Sequence, residues 1–99
     1  MVDELEVSVQ KIAKEYKPEK IILFGSRARD EARPDSDYDF IIIKNTKTRW
    51  INRSLEIPDV PIRADFFVYT PEEFKRMQEE GNIFIEEALK SYKILYQND

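Results

Sequence analysis

The sequence predicts an α/β (α+β) fold: a single small domain with a mixed β-sheet flanked by helices. Three observations predict it. Short apolar runs that read as strands alternate with segments whose apolar residues recur at helical spacing. Cap and turn residues stand at the boundaries between them. Several connections are too short for the crossovers of an all-parallel sheet, so strands should run in both directions. A length of 99 residues suffices for one modest core, and residues 1–99 are expected to form one domain.

The elements follow in order. Residues 2–16 place Val2, Leu5, Val9, Ile12, Ala13 and Tyr16 on one stripe of an amphipathic helix, which Pro18 stops. Ile21-Ile22-Leu23-Phe24 is a buried strand ending at Gly25. Ser26 is placed to cap a short helix beginning at Arg27 and Ala28, and residues 33–36 form a turn. Residues 37–43 predict a second strand, with Tyr38, Phe40 and Ile42 on one face and Asp37, Asp39, Ile41 and Ile43 on the other. A helix over 47–55 is expected to bury Ile51 and Leu55 and to cover Trp50 in part. The β-branched and aromatic run 62–69 predicts a third strand. Thr70, Pro71 and Glu73 spell a capping box with proline at the first helical position. Gly81 ends that helix, a further helix runs from Asn82 to about Lys90, and residues 91–96 predict a last strand.

Composition removes several functions. No residue is cysteine and none is histidine, so thiolate sites, disulfides and imidazole bases are excluded. Metal chemistry here must use oxygen ligands, which suit a hard ion such as Mg²⁺. A net charge of −4 argues against direct DNA or RNA binding, because phosphate neutralisation dominates such affinity. No apolar run predicts a membrane span, and the acidic start is no secretory signal; the expectation is a cytoplasmic protein. Abundant Lys and Glu lean towards a thermophilic source.

Two glycines occur in the chain. Gly81 is explained by its helix end. Gly25 lies between a strand and Ser26, with Arg27 and Arg29 following. Glycine admits a phosphate close to the backbone, free N–H groups attract it, and arginines can close on its oxygens. An ordinary tight turn would read the same. Asp37 and Asp39, two apart on a strand, share a face and repel each other; a divalent cation would remove that conflict. A solvated strand end is the alternative. Asp65 sits in an apolar strand, where a carboxylate calls for a metal or a cation such as Arg63.

The joint order is more specific than its parts. Strand, Gly25-Ser26-Arg27-Ala28-Arg29, turn, Asp37-Tyr38-Asp39 and Asp65 on a third strand resembles the minimal nucleotidyltransferases of the DNA polymerase β superfamily. The resemblance covers nearly the whole chain, through Tyr69-Thr70-Pro71-Glu72-Glu73-Phe74 to Ile94-Leu95-Tyr96. It implies the polymerase β-like nucleotidyltransferase fold. It further implies that Gly25 and Ser26 hold the donor triphosphate and that Asp37, Asp39 and Asp65 are the catalytic residues and metal ligands. Asp65 would also help deprotonate the acceptor hydroxyl. Arg27 and Arg29 are expected to steady the outer phosphates. The family commonly reads Gly-Ser-x-Ala-x-Gly, and here Asp30 occupies the second glycine position. An acid there must point away from the phosphates or be paired with Arg29 or Arg33.

The resemblance also implies Mg²⁺ as cofactor, ATP as donor, and a hetero-oligomer with a small helical HEPN-domain toxin, silenced by adenylylation of a tyrosine. The alternative is a non-catalytic antitoxin that neutralises its partner by steric contact. Adenylylation of a small molecule is a third reading, disfavoured because the chain carries no substrate domain. Tyr69, Trp50 and Tyr92 are read as core or interface residues in preference to base-stacking platforms.

Overall fold

The computed structural model describes residues 3–98. Helix α1 (Glu4–Glu15) starts where the Asp3 side chain accepts a hydrogen bond from the Leu5 N–H. Strand β1 (Lys20–Phe24) leads into the Gly25 turn, and β2 (Tyr38–Ile43) returns antiparallel to it. A four-residue helix α2 (Trp50–Arg53) continues into a 3₁₀ turn (Ser54–Glu56). Strand β3 (Ala64–Tyr69) pairs parallel with β2, and β4 (Tyr92–Gln97) pairs antiparallel with β1. The sheet order is β3-β2-β1-β4, so the expected mixed sheet is found. Between β3 and β4 lie α3 (Pro71–Glu79) and α4 (Ile83–Ala88).

Strand alternation divides the apolar residues between two faces. Ile21, Leu23, Phe40, Ile42 and Val68 face α1, where Val9, Ile12 and Tyr16 meet them. Ile22, Phe24, Ile41, Ile43 and Tyr69 face the other way, against Ile85 and Ala88 of α4. The period-2 reading of β2 is therefore correct, and it sets where the acids go. The expected position of Val2 on the α1 stripe lies outside the described residues. The capping box forms as read: the Thr70 hydroxyl accepts from the Glu73 N–H, and the Glu73 carboxylate accepts from the Thr70 N–H.

Two predicted helices are corrected. Residues 26–30 form only a hydrogen-bonded turn, so Ser26 caps no helix. Asp30 takes φ 58°, and the Glu31 N–H reaches back to the Ser26 carbonyl. A bond of that span across a left-handed residue is how helices end, and here it closes the segment after one turn.

The second correction concerns 47–55. The helix there is shorter, and it is rotated so that Arg53 points inward. Ile51 is 74% and Leu55 79% exposed, where burial was expected. Trp50 is half-exposed and stacks on Tyr69 with ring centroids 5.0 Å apart. Arg53, with its side chain 8% exposed, forms a bidentate pair with Glu73 at 2.6 and 3.1 Å. It also donates to the carbonyls of Thr48 and Val68. Those four bonds satisfy a guanidinium that would otherwise be expensive to bury. They thereby fix which side of α2 faces β3.

Candidate active site

The end of β1 and the starts of β2 and β3 lie at one edge of the sheet, and the candidate residues collect there. Asp39 and Asp65 are directly paired in the parallel register of β2 and β3. Adjacent strands are about 4.8 Å apart, and paired residues share a face, so the two carboxylates stand side by side. That face is the α4 side, because Ile41 and Ile43 follow Asp39 on it. Asp37 stands one residue before β2 and is exposed. Its carboxylate meets the Arg63 guanidinium at 3.5 Å.

Asp65 is exposed too. Its sequence neighbours are apolar, but alternation turns the carboxylate out beside Asp39. Nor does Arg63 serve Asp65: its partner is Asp37. Strand register, which the sequence does not display, decides this pairing.

Gly25 pairs with this arrangement through space. Its φ is 76°, and a Cβ built there would lie 2.5 Å from Oδ2 of Asp39. The missing side chain leaves the room into which the Asp39 carboxylate turns. Partial burial, then Asp65, then Asp37 push the Asp39 pKa above the ordinary aspartate value of 3.8. Each of these causes disfavours the charged form, and a cation at the same point would oppose all three.

The turn after Gly25 presents backbone donors. The N–H groups of Ala28 and Arg29 fold back onto the carbonyls of Gly25 and Ser26. Among the described residues, those of Ser26 and Arg27 find no protein acceptor. Such clustered turn amides form concavities that attract anions.

The two arginines have different partners. Arg27 donates to the carbonyls of Pro34 and Ser36, at 2.7–3.2 Å. Its guanidinium lies 4.3 Å from the centre of the Tyr38 ring. Tyr38 packs on the α1 side, so the Arg27 side chain clasps the loop from the face opposite the acids. Arg29 is exposed and pairs with Glu31 at 3.1 Å. Asp30 pairs with Lys93 of β4 at 3.6 Å, and not with Arg29 or Arg33. Lys93 is opposite Leu23, on the α1 side of the sheet. The acid in the glycine position is thus drawn away from the carboxylates. The left-handed φ of Asp30 also explains why glycine suits this position.

Among the described residues, no three carboxylates converge closely enough to enclose one ion. The donor set nevertheless fits a hard divalent cation: it is all oxygen, anionic and self-repelling. Asp39 and Asp65 are already adjacent, and Asp37 is within electrostatic reach of Asp39. The acids lie at an open edge. The concavity of about 440 Å³ between the sheet and α3 is lined by Ile22, Phe74 and Tyr92, with none of the three aspartates.

A strand-turn unit with free amides, beside paired acids on neighbouring strands, defines a class of site suited to metal-assisted transfer at phosphorus. Residues 8–99 match the family model "Polymerase beta, Nucleotidyltransferase", and the chain belongs to that family. Its fold is also similar to that of solved structures. One is a candidate nucleotidyltransferase from Sulfolobus solfataricus (TM-score 0.61, 20% identity, covering 95% of this chain and 78% of that one). Another is a toxin-antitoxin structure with AMP-PNP (TM-score 0.60, 15% identity, covering 95% and 74%). No curated protein sequence matches the chain significantly. Among the described residues, no helix is long and apolar enough to cross a membrane.

Proposed function

We propose that this chain is an Mg²⁺-dependent nucleotidyltransferase that moves AMP from ATP to an acceptor hydroxyl, a tyrosine of a partner HEPN-domain toxin. The observation that carries the reading is the registered pair Asp39–Asp65 opening onto the Gly25 turn. Membership of the family supports nucleotidyl transfer. The similar toxin-antitoxin structure with AMP-PNP supports an ATP-like donor and a toxin as partner; the HEPN domain rests on the sequence resemblance.

Asp37, Asp39 and Asp65 would hold the ion, and the amides of Ser26 and Arg27 would hold the triphosphate. A bound divalent ion supplies charge neutralisation at the phosphate and hydroxyl oxygens. Asp65, the more exposed of the adjacent pair, would take the proton of the acceptor hydroxyl. The acceptor oxygen bonds to the α-phosphorus while the bond to the β-phosphate oxygen breaks, and pyrophosphate leaves. Turning Asp30 towards Lys93 keeps its charge away from the phosphates. Because the site is an open edge, a second protein can bring its tyrosine directly to it.

A second reading is a non-catalytic module that neutralises its partner by contact. The exposure of Trp50, Ile51 and Leu55 on one short segment favours it. One experiment separates the two. The chain is purified with its native partners and incubated with Mg²⁺ and ATP labelled on the α-phosphate. Label on a partner with wild type, absent with Asp39→Asn, supports transfer and identifies the acceptor. A tight partner that is labelled by neither form supports the module.

A further inference from the structure

Arg63 has no part in the roles assigned so far. Within the described residues it is the one cationic side chain in salt-bridge contact with any of the three acids, its Nε facing Oδ1 of Asp37 at 3.5 Å. Its backbone is fixed beside that acid: the Tyr38 N–H donates to the Arg63 carbonyl at 2.9 Å, one step before the Tyr38–Ala64 pairing of the ladder. Its side chain is 83% exposed, so it can leave Asp37 without opening the core. The other arginines near the site are committed elsewhere, Arg27 to loop carbonyls and Arg29 to Glu31.

We propose that Arg63 is a positioning residue that acts as an internal counter-ion: it holds Asp37 out of the metal site and is displaced when a divalent cation binds. This rests on the three-aspartate reading above. Asp39 and Asp65 are set side by side by strand register, whereas Asp37 lies outside the strand and is directed by its partner. The acids do not converge on one point among the described residues, and Asp37 is the one of the three that meets a cation. Binding the ion therefore exchanges one cation for another at Asp37. Metal affinity in the absence of nucleotide is reduced by that competition. After release, Arg63 stands at the mouth of the site with its charge free.

The test is titration of the intact chain with Mn²⁺ alone, followed by electron paramagnetic resonance of the free ion. Wild type is compared with Arg63→Gln, Arg63→Lys and Asp39→Asn. An exposed pair is worth little, so Arg63→Gln should tighten Mn²⁺ about three- to fivefold. Arg63→Lys keeps the charge but loses the Nε–H that faces Asp37, and it should also bind more tightly than wild type. If Arg63→Lys matches wild type while Arg63→Gln binds tighter, the effect is long-range charge and the contact is irrelevant, which overturns the proposal. If neither Arg63 variant moves the affinity while Asp39→Asn abolishes it, the proposal fails and the metal site stands. If no form binds Mn²⁺, both fail together.

Discussion

The Asp39 carboxylate occupies the space that a side chain at position 25 would fill: a Cβ on Gly25 would come within 2.5 Å of Oδ2. One residue after β1 thus shapes the seat of an acid on β2. The glycine is required twice, for that space and for its φ of 76°.

Gly25→Ala should therefore do two kinds of damage. Strain at positive φ is expected to lower stability by about 1–2 kcal/mol. The Asp39 carboxylate must also move, so nucleotide transfer should fall far more than the folded fraction does. Chemical denaturation read beside labelled-nucleotide transfer checks this. Parallel losses in both would show that position 25 serves the fold alone.

Asp39→Asn should stabilise the metal-free protein at neutral pH. The Asp39 pKa is raised by burial first, then by Asp65 and Asp37. Between the ordinary and the raised value the folded state binds more protons than the unfolded one. The stability from this group is thus fully present below the unfolded value of 3.8 and is lost as pH rises through the folded value. The Tm advantage of Asp39→Asn over wild type, measured without metal, should shrink as the pH is lowered towards that range. An advantage that does not change with pH would rule the account out.

Glu73 carries the opposite dependence. Its hydrogen bonds from Arg53, and then those from Thr70, hold its pKa below the ordinary glutamate value of 4.5. Its contribution is present above the unfolded value and lost as pH falls through the lowered folded one. Glu73→Gln should cost about 2 kcal/mol, below the range for wholly buried pairs because Glu73 is partly exposed. Urea denaturation above and below the titration range measures both effects. Replacing Arg53 as well, by Met, should recover part of the loss, since no buried guanidinium then lacks its partner.

Much of this molecule is legible in its sequence where local rules decide. The two faces of β2 follow from alternation, the start of α3 from Thr70, Pro71 and Glu73, and the mixed sheet from short connections. The order Gly25, Asp37, Asp39, Asp65 points to the candidate site because each stands near the beginning or end of a strand. What stays hidden depends on partners distant in sequence. Arg53 is buried by Val68 and Glu73, so the apolar pattern over 47–55 misleads and Ile51 and Leu55 face outward. The grip of the Arg27 side chain on the Ser36 carbonyl is set by the return of the loop, which the sequence does not display. Arg63 belongs to Asp37 only because β3 lies parallel to β2 in one register.

Asp30 is the point of departure from the family pattern, and its backbone makes a prediction. At φ 58° an aspartate is tolerated better than an alanine. Asp30→Ala should cost about 1 kcal/mol, whereas Asp30→Gly should be close to neutral, relief of strain offsetting the greater freedom of the unfolded chain. Thermal unfolding of the two variants decides it. Equal stability would mean that the left-handed geometry contributes nothing at this position.

The central claim is that the acids of β2 and β3, seated against Gly25, hold a metal that holds a nucleotide. Its most direct test is calorimetric titration of the chain with a non-hydrolysable ATP analogue, with and without Mg²⁺, for wild type and Asp39→Asn. The account predicts binding by wild type that requires Mg²⁺ and is lost in Asp39→Asn, with the variant still folded. Binding that is indifferent to both Mg²⁺ and the Asp39 substitution would contradict it.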